Sequence, residues 1–161
     1  MIRAVAMVLA LALAGCDTTA KEAQLRTLVG LYLNHYGETF GAGLEPVAQD
    51  QIAPLAEGQA HMVQVDLEPG LEYRFIGACD NECVDIDMQL VNLVSGEVVA
   101  FDNLPDNYPL VVYTPPEPGR YQVSLHMFGC TMQPCYAGLR MVAGALAGPA
   151  NDAGAAAPAQ P

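Results

Sequence analysis

The sequence has no tryptophan and only two serines, Ser95 and Ser124, among its 161 residues. Six Lys and Arg stand against eighteen Asp and Glu, giving a formal net charge of −12. So few bases argue against nucleic acid or an anionic lipid surface as the main ligand, because both are bound through clustered Lys and Arg. Neither serine lies in a G-x-S-x-G elbow: Ser95 belongs to a Ser-Gly turn and Ser124 to the middle of a strand. There is no H-E-x-x-H, no P-loop and no G-x-G-x-x-G. Asp85 and Asp87 could pair as acid and base, but a glycosidase needs a cleft with sugar-stacking aromatics, and Trp is absent. His35 near a helix end, His61 on the apolar phase of a strand and His126 on an outward phase read as packing or surface residues. What the chain does have is twelve Pro and fifteen Gly, a composition of short strands and many turns rather than a helical bundle. Its length suits one domain with one core and leaves no room for a two-domain cofactor enzyme.

The start reads Met-Ile-Arg3, then an apolar run from Ala4 to Ala14, then Gly15-Cys16. One base followed by so short an apolar stretch has the proportions of a signal peptide, since a helix that spans a bilayer needs about twenty residues. Leu13-Ala14-Gly15-Cys16 resembles the lipobox of bacterial lipoproteins, which implies removal of residues 1–15 and lipidation of Cys16. Loss of Arg3 takes the formal charge from −12 to −13. Each buried lipid methylene contributes about 0.8 kcal/mol, so several acyl chains hold a protein at a membrane without a spanning helix.

From Ala20 to Tyr36 the apolar residues Ala20, Ala23, Leu28, Val29, Tyr32, Leu33 and Tyr36 follow a helical period, and Gly37 is a natural stop. Glu38 to Gly58 shows no clear period and reads as a loop with a short helix or edge strand. Residues 16–60 thus form a helix and linker, and 61–143 the main domain. There the period becomes two. His61–Leu67 and Leu71–Phe75 read as a hairpin about Pro69-Gly70. Further alternating segments follow at Val84–Leu90, Glu97–Asp102, Leu110–Thr114, Tyr121–Met127 and Tyr136–Val142. Seven to eight short strands with regular turn signals predict an antiparallel β-sandwich carrying one N-terminal helix. Residues 144–161, rich in Ala, Gly and Pro, lack a period that could offset ordering entropy and read as a disordered tail.

If successive strands run antiparallel, their connections alternate between the two ends of the sandwich. One end then gathers the Cys79–Cys83, Asn103–Pro109 and Cys130–Cys135 loops, and with them Asp80, Asn81, Glu82, Asp102, Asn103, Asp106 and Asn107. In an exported chain the four cysteines read as two disulfides. A zinc site would favour C-x2-C knuckles, and a redox pair C-x-x-C beside a βαβ unit. Either each pair closes its own loop or the two loops are stitched together; the shortness of the loops favours local closure. Asp85 and Asp87, with Asp102 on the returning strand, could supply carboxylates to Ca²⁺. The preference of Asp and Asn for turns accounts for the loop acids without a metal. Asp80, Glu82 and Asp106 are the remaining candidates for contact with a partner at this acidic end.

From about Gln59 to Val142 the chain resembles the bacterial pre-peptidase C-terminal domain family, in a variant with added cysteines. The likeness rests on Val65-x-Leu67-x3-Leu71-x-Tyr73-x-Phe75, Cys79-Asp80-x2-Cys83-x-Asp85-Ile86-Asp87-Met88-x-Leu90 and Gly96-x3-Ala100-x-Asp102. Pro109, Tyr113-Thr114-Pro115, Gly119-x-Tyr121-x-Val123 and Cys130-x4-Cys135-Tyr136 complete it. The resemblance implies a small, non-catalytic jelly-roll sandwich acting as an accessory or substrate-binding module, in a family some of whose relatives bind Ca²⁺ or collagen.

Together these readings lead to a lipid-anchored module of the bacterial cell envelope, facing the periplasm, without a resident cofactor unless Ca²⁺. It would bind or support another envelope component, a protein or polysaccharide, through its acidic, disulfide-bearing end. A Ca²⁺-dependent protein- or polysaccharide-binding module is the alternative, and an envelope hydrolase or thiol-redox protein a more distant one. Cys16→Ala is expected to abolish incorporation of a palmitate analogue and to release the chain from the membrane fraction, both measured in a bacterial host.

Overall fold

The computed structural model describes residues 2–145 in their backbone and residues 18–145 in their side chains. Among these, one helix, α1 (Ile2–Phe40), precedes nine strands. They are β1 (Glu45–Pro46), β2 (Gln51–Leu55), β3 (Ala60–Leu67), β4 (Leu71–Cys79), β5 (Cys83–Asn92), β6 (Val98–Asp102), β7 (Leu110–Tyr113), β8 (Gly119–Cys130) and β9 (Cys135–Ala145). They form two antiparallel sheets. In one, β1 and β2 both pair with β9, which is followed by β4 and β7; the other runs β3-β8-β5-β6. The order β2-β9-β4-β7 over β3-β8-β5-β6 is that of a jelly roll. The fold is therefore the antiparallel sandwich with an N-terminal helix that the periodicity predicts.

Strand partners differ from the expectation in one respect. β3 and β4 are not a hairpin: β3 pairs with β8, Val63 opposite Val123, while β4 pairs with β9, Phe75 opposite Met141. The Pro69-Gly70 turn, with Gly70 at φ 81°, carries the chain from one sheet to the other. Alternation cannot distinguish the two cases, because a hairpin and two strands facing across a sandwich bury the same every-second residue. The β5–β6 turn at Ser95-Gly96 does close a hairpin, with Leu90 opposite Ala100.

The inner faces meet in a core in which Phe75, Ile86, Met88, Leu90, Tyr121, Leu125, Met127 and Leu139 are fully buried. On β9 every second residue points the other way, and that outer face is covered by α1. Val29 and Leu33, one helical turn apart, pack with Ala78 and Tyr136 beneath them. Gly138 makes the approach possible, since a Cβ there would stand 2.6 Å from Val29 Cγ1 and 2.8 Å from Leu33 Cδ1. Polar ties fix the helix. Arg140 donates to the Leu33 carbonyl at 2.8 Å and to Asn34 Oδ1 at 2.7 Å, and it pairs with Asp50 at 2.6 Å. Arg74 donates to the carbonyl of Phe40.

The helix does not stop at Gly37 but runs to Phe40, and Gly41 follows with its N–H on the Gly37 carbonyl at 2.8 Å. Gly37 instead leaves room for Arg140, whose Nη1 would lie 2.5 Å from an added Cβ. The segment read as a linker supplies β1 and β2, both paired with β9. β9 itself continues through Gly144 and Ala145, past the start assigned to the tail. Residues 2–15, read from the sequence as a signal peptide, are helical in backbone, but their side chains and that of Cys16 lie outside the described residues, as do residues 146–161. Gly138→Ala is expected to cost about 1–3 kcal/mol through overpacking under α1, read as a lower urea midpoint at unchanged slope.

Candidate binding face

Both cysteine pairs close locally, Cys79 with Cys83 and Cys130 with Cys135, each with Cα atoms 5.9 Å apart. The two loops cross between sheets, from β4 to β5 and from β8 to β9, so each disulfide joins the sandwich's two layers. Cys83 lies opposite Cys130 in the β5–β8 register, which sets the two bonds side by side. Thr131 donates to the Glu82 carbonyl through both its N–H, at 2.8 Å, and its hydroxyl, at 2.9 Å. The third loop, between β6 and β7, joins the same end: the Ile86 N–H reaches the Asp106 carbonyl at 3.0 Å and the Gly77 N–H that of Pro109 at 2.8 Å. The end predicted from alternation of the connections is therefore assembled.

Its acids are used differently from the expectation. Asp80 is not a surface contact: it is 1% exposed and accepts from the N–H of Tyr136 at 2.7 Å and of Glu82 at 3.2 Å. Burial pushes its carboxyl up, and these hydrogen bonds only partly oppose the rise. Asp102 spends both oxygens on the loop it opens, accepting from Leu104 N–H at 3.1 Å and Leu110 N–H at 2.9 Å. Asp106 accepts from Tyr108 N–H at 3.1 Å. Asn81 takes the Tyr32 hydroxyl of α1 at 2.6 Å. Glu82 Oε2 and Asp85 Oδ1 are buried without a hydrogen-bond partner among the described residues. Also among the described residues, no group of three or more His, Cys, Asp or Glu is arranged to hold a metal ion.

Below this end, on the outer face of the four-stranded sheet, lies a groove of about 510 Å³. Asp87 and Gln89 of β5 and His126 of β8 contribute polar side chains, and Phe101 of β6 and Phe128 of β8 border it. Asp87 sits opposite His126, and Gln89 opposite Phe101 on one side and Ser124 on the other. Gln89 Nε2 lies 3.1 Å from His126 Nε2. Phe128 shares the outward phase of His126, and the β5–β8 register shifts at it, between Asp85 and Ile86, whose partners are Gly129 and Met127; Phe128 is the extra residue of that bulge. The two rings are 64% and 60% exposed, unusual for Phe on a sheet that has a complete core on its other face. Burial first, and then the charges of Asp85, Asp102 and Asp106, raise the Asp87 carboxyl above its ordinary range, while His126 opposes them.

Neither Phe101 nor Phe128 was singled out from the sequence, although a signal was present: both stand on the outward phase, beside inward Ala100 and Met127. A larger cleft of about 840 Å³ lies between α1 and the segment joining β1 to β2. Its cation, Arg140, is already committed to Asp50, Asn34 and the helix backbone. Among the described residues no helix is long and apolar enough to cross a membrane. No protein-family model and no curated protein sequence matches the chain.

An acid whose native pKa is raised binds more protons in the folded state than in the unfolded chain across the interval between its two values. It therefore favours folding more as the pH falls through that interval. Asp87→Asn is expected to remove this part of the pH dependence. The difference in urea midpoint between wild type and variant should shift toward the wild type on acidification from neutrality into the carboxylate range, and a constant difference would show that Asp87 is not strained by its neighbours.

Proposed function

We propose that the chain is a non-catalytic, lipid-anchored module of the bacterial cell envelope that binds a protein partner through the open face of its four-stranded sheet. The observation that carries this reading is an asymmetry. α1 covers the outer face of one sheet through Val29, Leu33 and the Arg140 ties, while the other sheet presents Phe101 and Phe128 to solvent around a groove. Exposed aromatics beside polar groups are the composition of an interface core rather than of an idle surface. The lipobox-like Leu13-Ala14-Gly15-Cys16 supports the anchor. The resemblance to pre-peptidase C-terminal domains supports an accessory role on the same sandwich.

The reading moves the expected contact from the loop acids Asp80, Glu82 and Asp106 to the adjacent sheet face, because the loop carboxylates of Asp80 and Asp106 already hold backbone N–H groups. In cross-linked native envelopes, the lipid-modified full chain is expected to capture a partner that a Phe101→Ala, Phe128→Ala double variant of equal melting temperature loses. Identical capture by both proteins would refute this face as the site.

A further inference from the structure

We propose that the groove between Phe101 and Phe128 seats a Lys- or Arg-bearing polypeptide segment, with Asp87 as the carboxylate that receives the cation. The inference rests on the reading of this sheet face as the binding face and adds the chemistry of its occupant. An aromatic ring attracts a cation to its face, and a guanidinium or ammonium held against one of the exposed rings would share the groove with the Asp87 carboxylate. A purely apolar occupant would cover that carboxylate and leave it only His126 against three like charges, which is costly. An anionic occupant would meet Asp87 together with Asp85, Asp102 and Asp106, whose charges already act on it.

Among the described residues the only base at the groove is His126, opposite Asp87, and no Lys or Arg fills the place. Arg26 pairs with Glu22, Arg74 with Glu72, Arg120 with Asp66 and Arg140 with Asp50, none of them at the groove. Lys21 reaches Met132 on the side of α1, and the segment after Ala145 contains Asp152 but no Lys or Arg. The groove is also longer than a single cationic group. Phe101 faces Gln89, and Phe128 stands at the Asp85–Ile86 step, so the rings border a stretch of β5 of about 13 Å at the rise of an extended strand. An extended segment with an alternating base fits that span, and a free monovalent cation does not.

The test is a titration of the isotopically labelled full chain in detergent micelles, followed by amide chemical shifts. The probes are blocked heptapeptides alternating Thr with Arg, Lys, citrulline or Glu. The Arg and Lys peptides are expected to shift the amides of Asp87, Phe101 and Phe128, more weakly at high salt. The citrulline and Glu peptides are expected to leave them unmoved. Asp87→Asn should weaken the Arg peptide about fivefold, the scale of one exposed charge pair. Absence of shifts, equal shifts from the citrulline peptide, or shifts confined to the disulfide loops would each overturn the proposal. If the Arg peptide fails while partner capture in envelopes still depends on Phe101 and Phe128, the face binds an uncharged occupant. If both fail, the face itself is not the site.

Discussion

The two layers of the sandwich are tied covalently where the chain crosses between them. Cys79–Cys83 spans a sequence separation of four and Cys130–Cys135 one of five, so neither bond removes much loop entropy from the unfolded chain. Their effect is on shape. With Cys83 opposite Cys130, the two staples hold the ends of β4, β5, β8 and β9 together, and the bulge at Phe128 lies only two residues from Cys130. The groove's geometry, the placement of the acids and the seating of the β6–β7 loop against Ile86 and Gly77 all depend on that fixed corner.

The acidic end shows how net charge is converted into structure. In the β4–β5 loop and the loop after β6, carboxylates take the place of carbonyl acceptors that a tight loop cannot supply. Asp80, Asp102 and Asp106 between them accept five backbone N–H groups. Asp87 stands apart from them on the sheet face, beside His126 and among the like charges of Asp85, Asp102 and Asp106. An acid in a loop and an acid on a sheet face thus contribute equally to the formal charge, yet the first is spent on backbone N–H groups.

Much of this could be read in advance where a physical period exists. The four-residue step from Val29 to Leu33 marks the buried helix face, and the alternation along Tyr121–Met127 marks the core face of β8. Parity of the connections places the three loops at one end. What a period cannot carry is the identity of the neighbour, so β3 and β4 read as a hairpin although they lie in different sheets. β1 and β2 are too short or too irregular to show alternation, and β2 carries Pro54, tolerable on an edge but a poor strand signal. Gly37 looks like a helix stop in isolation, and only Arg140, more than a hundred residues later, reveals that it makes room. Whether Asp80 faces solvent or caps Tyr136 depends on backbone amides brought in by β9, which no local pattern anticipates.

The helix and the disulfides together also define a route for mechanical load. α1 grips β9 at Gly138 and Arg140, β9 is bonded to β8 through Cys135 and Cys130, and β8 carries Phe128. A load applied between α1 and the open sheet face would pass from helix to sheet through the contacts of Arg140 with Leu33 and Asn34, then from sheet to sheet through a covalent bond. The apolar contact between the layers, the part of a sandwich most easily sheared, is bypassed.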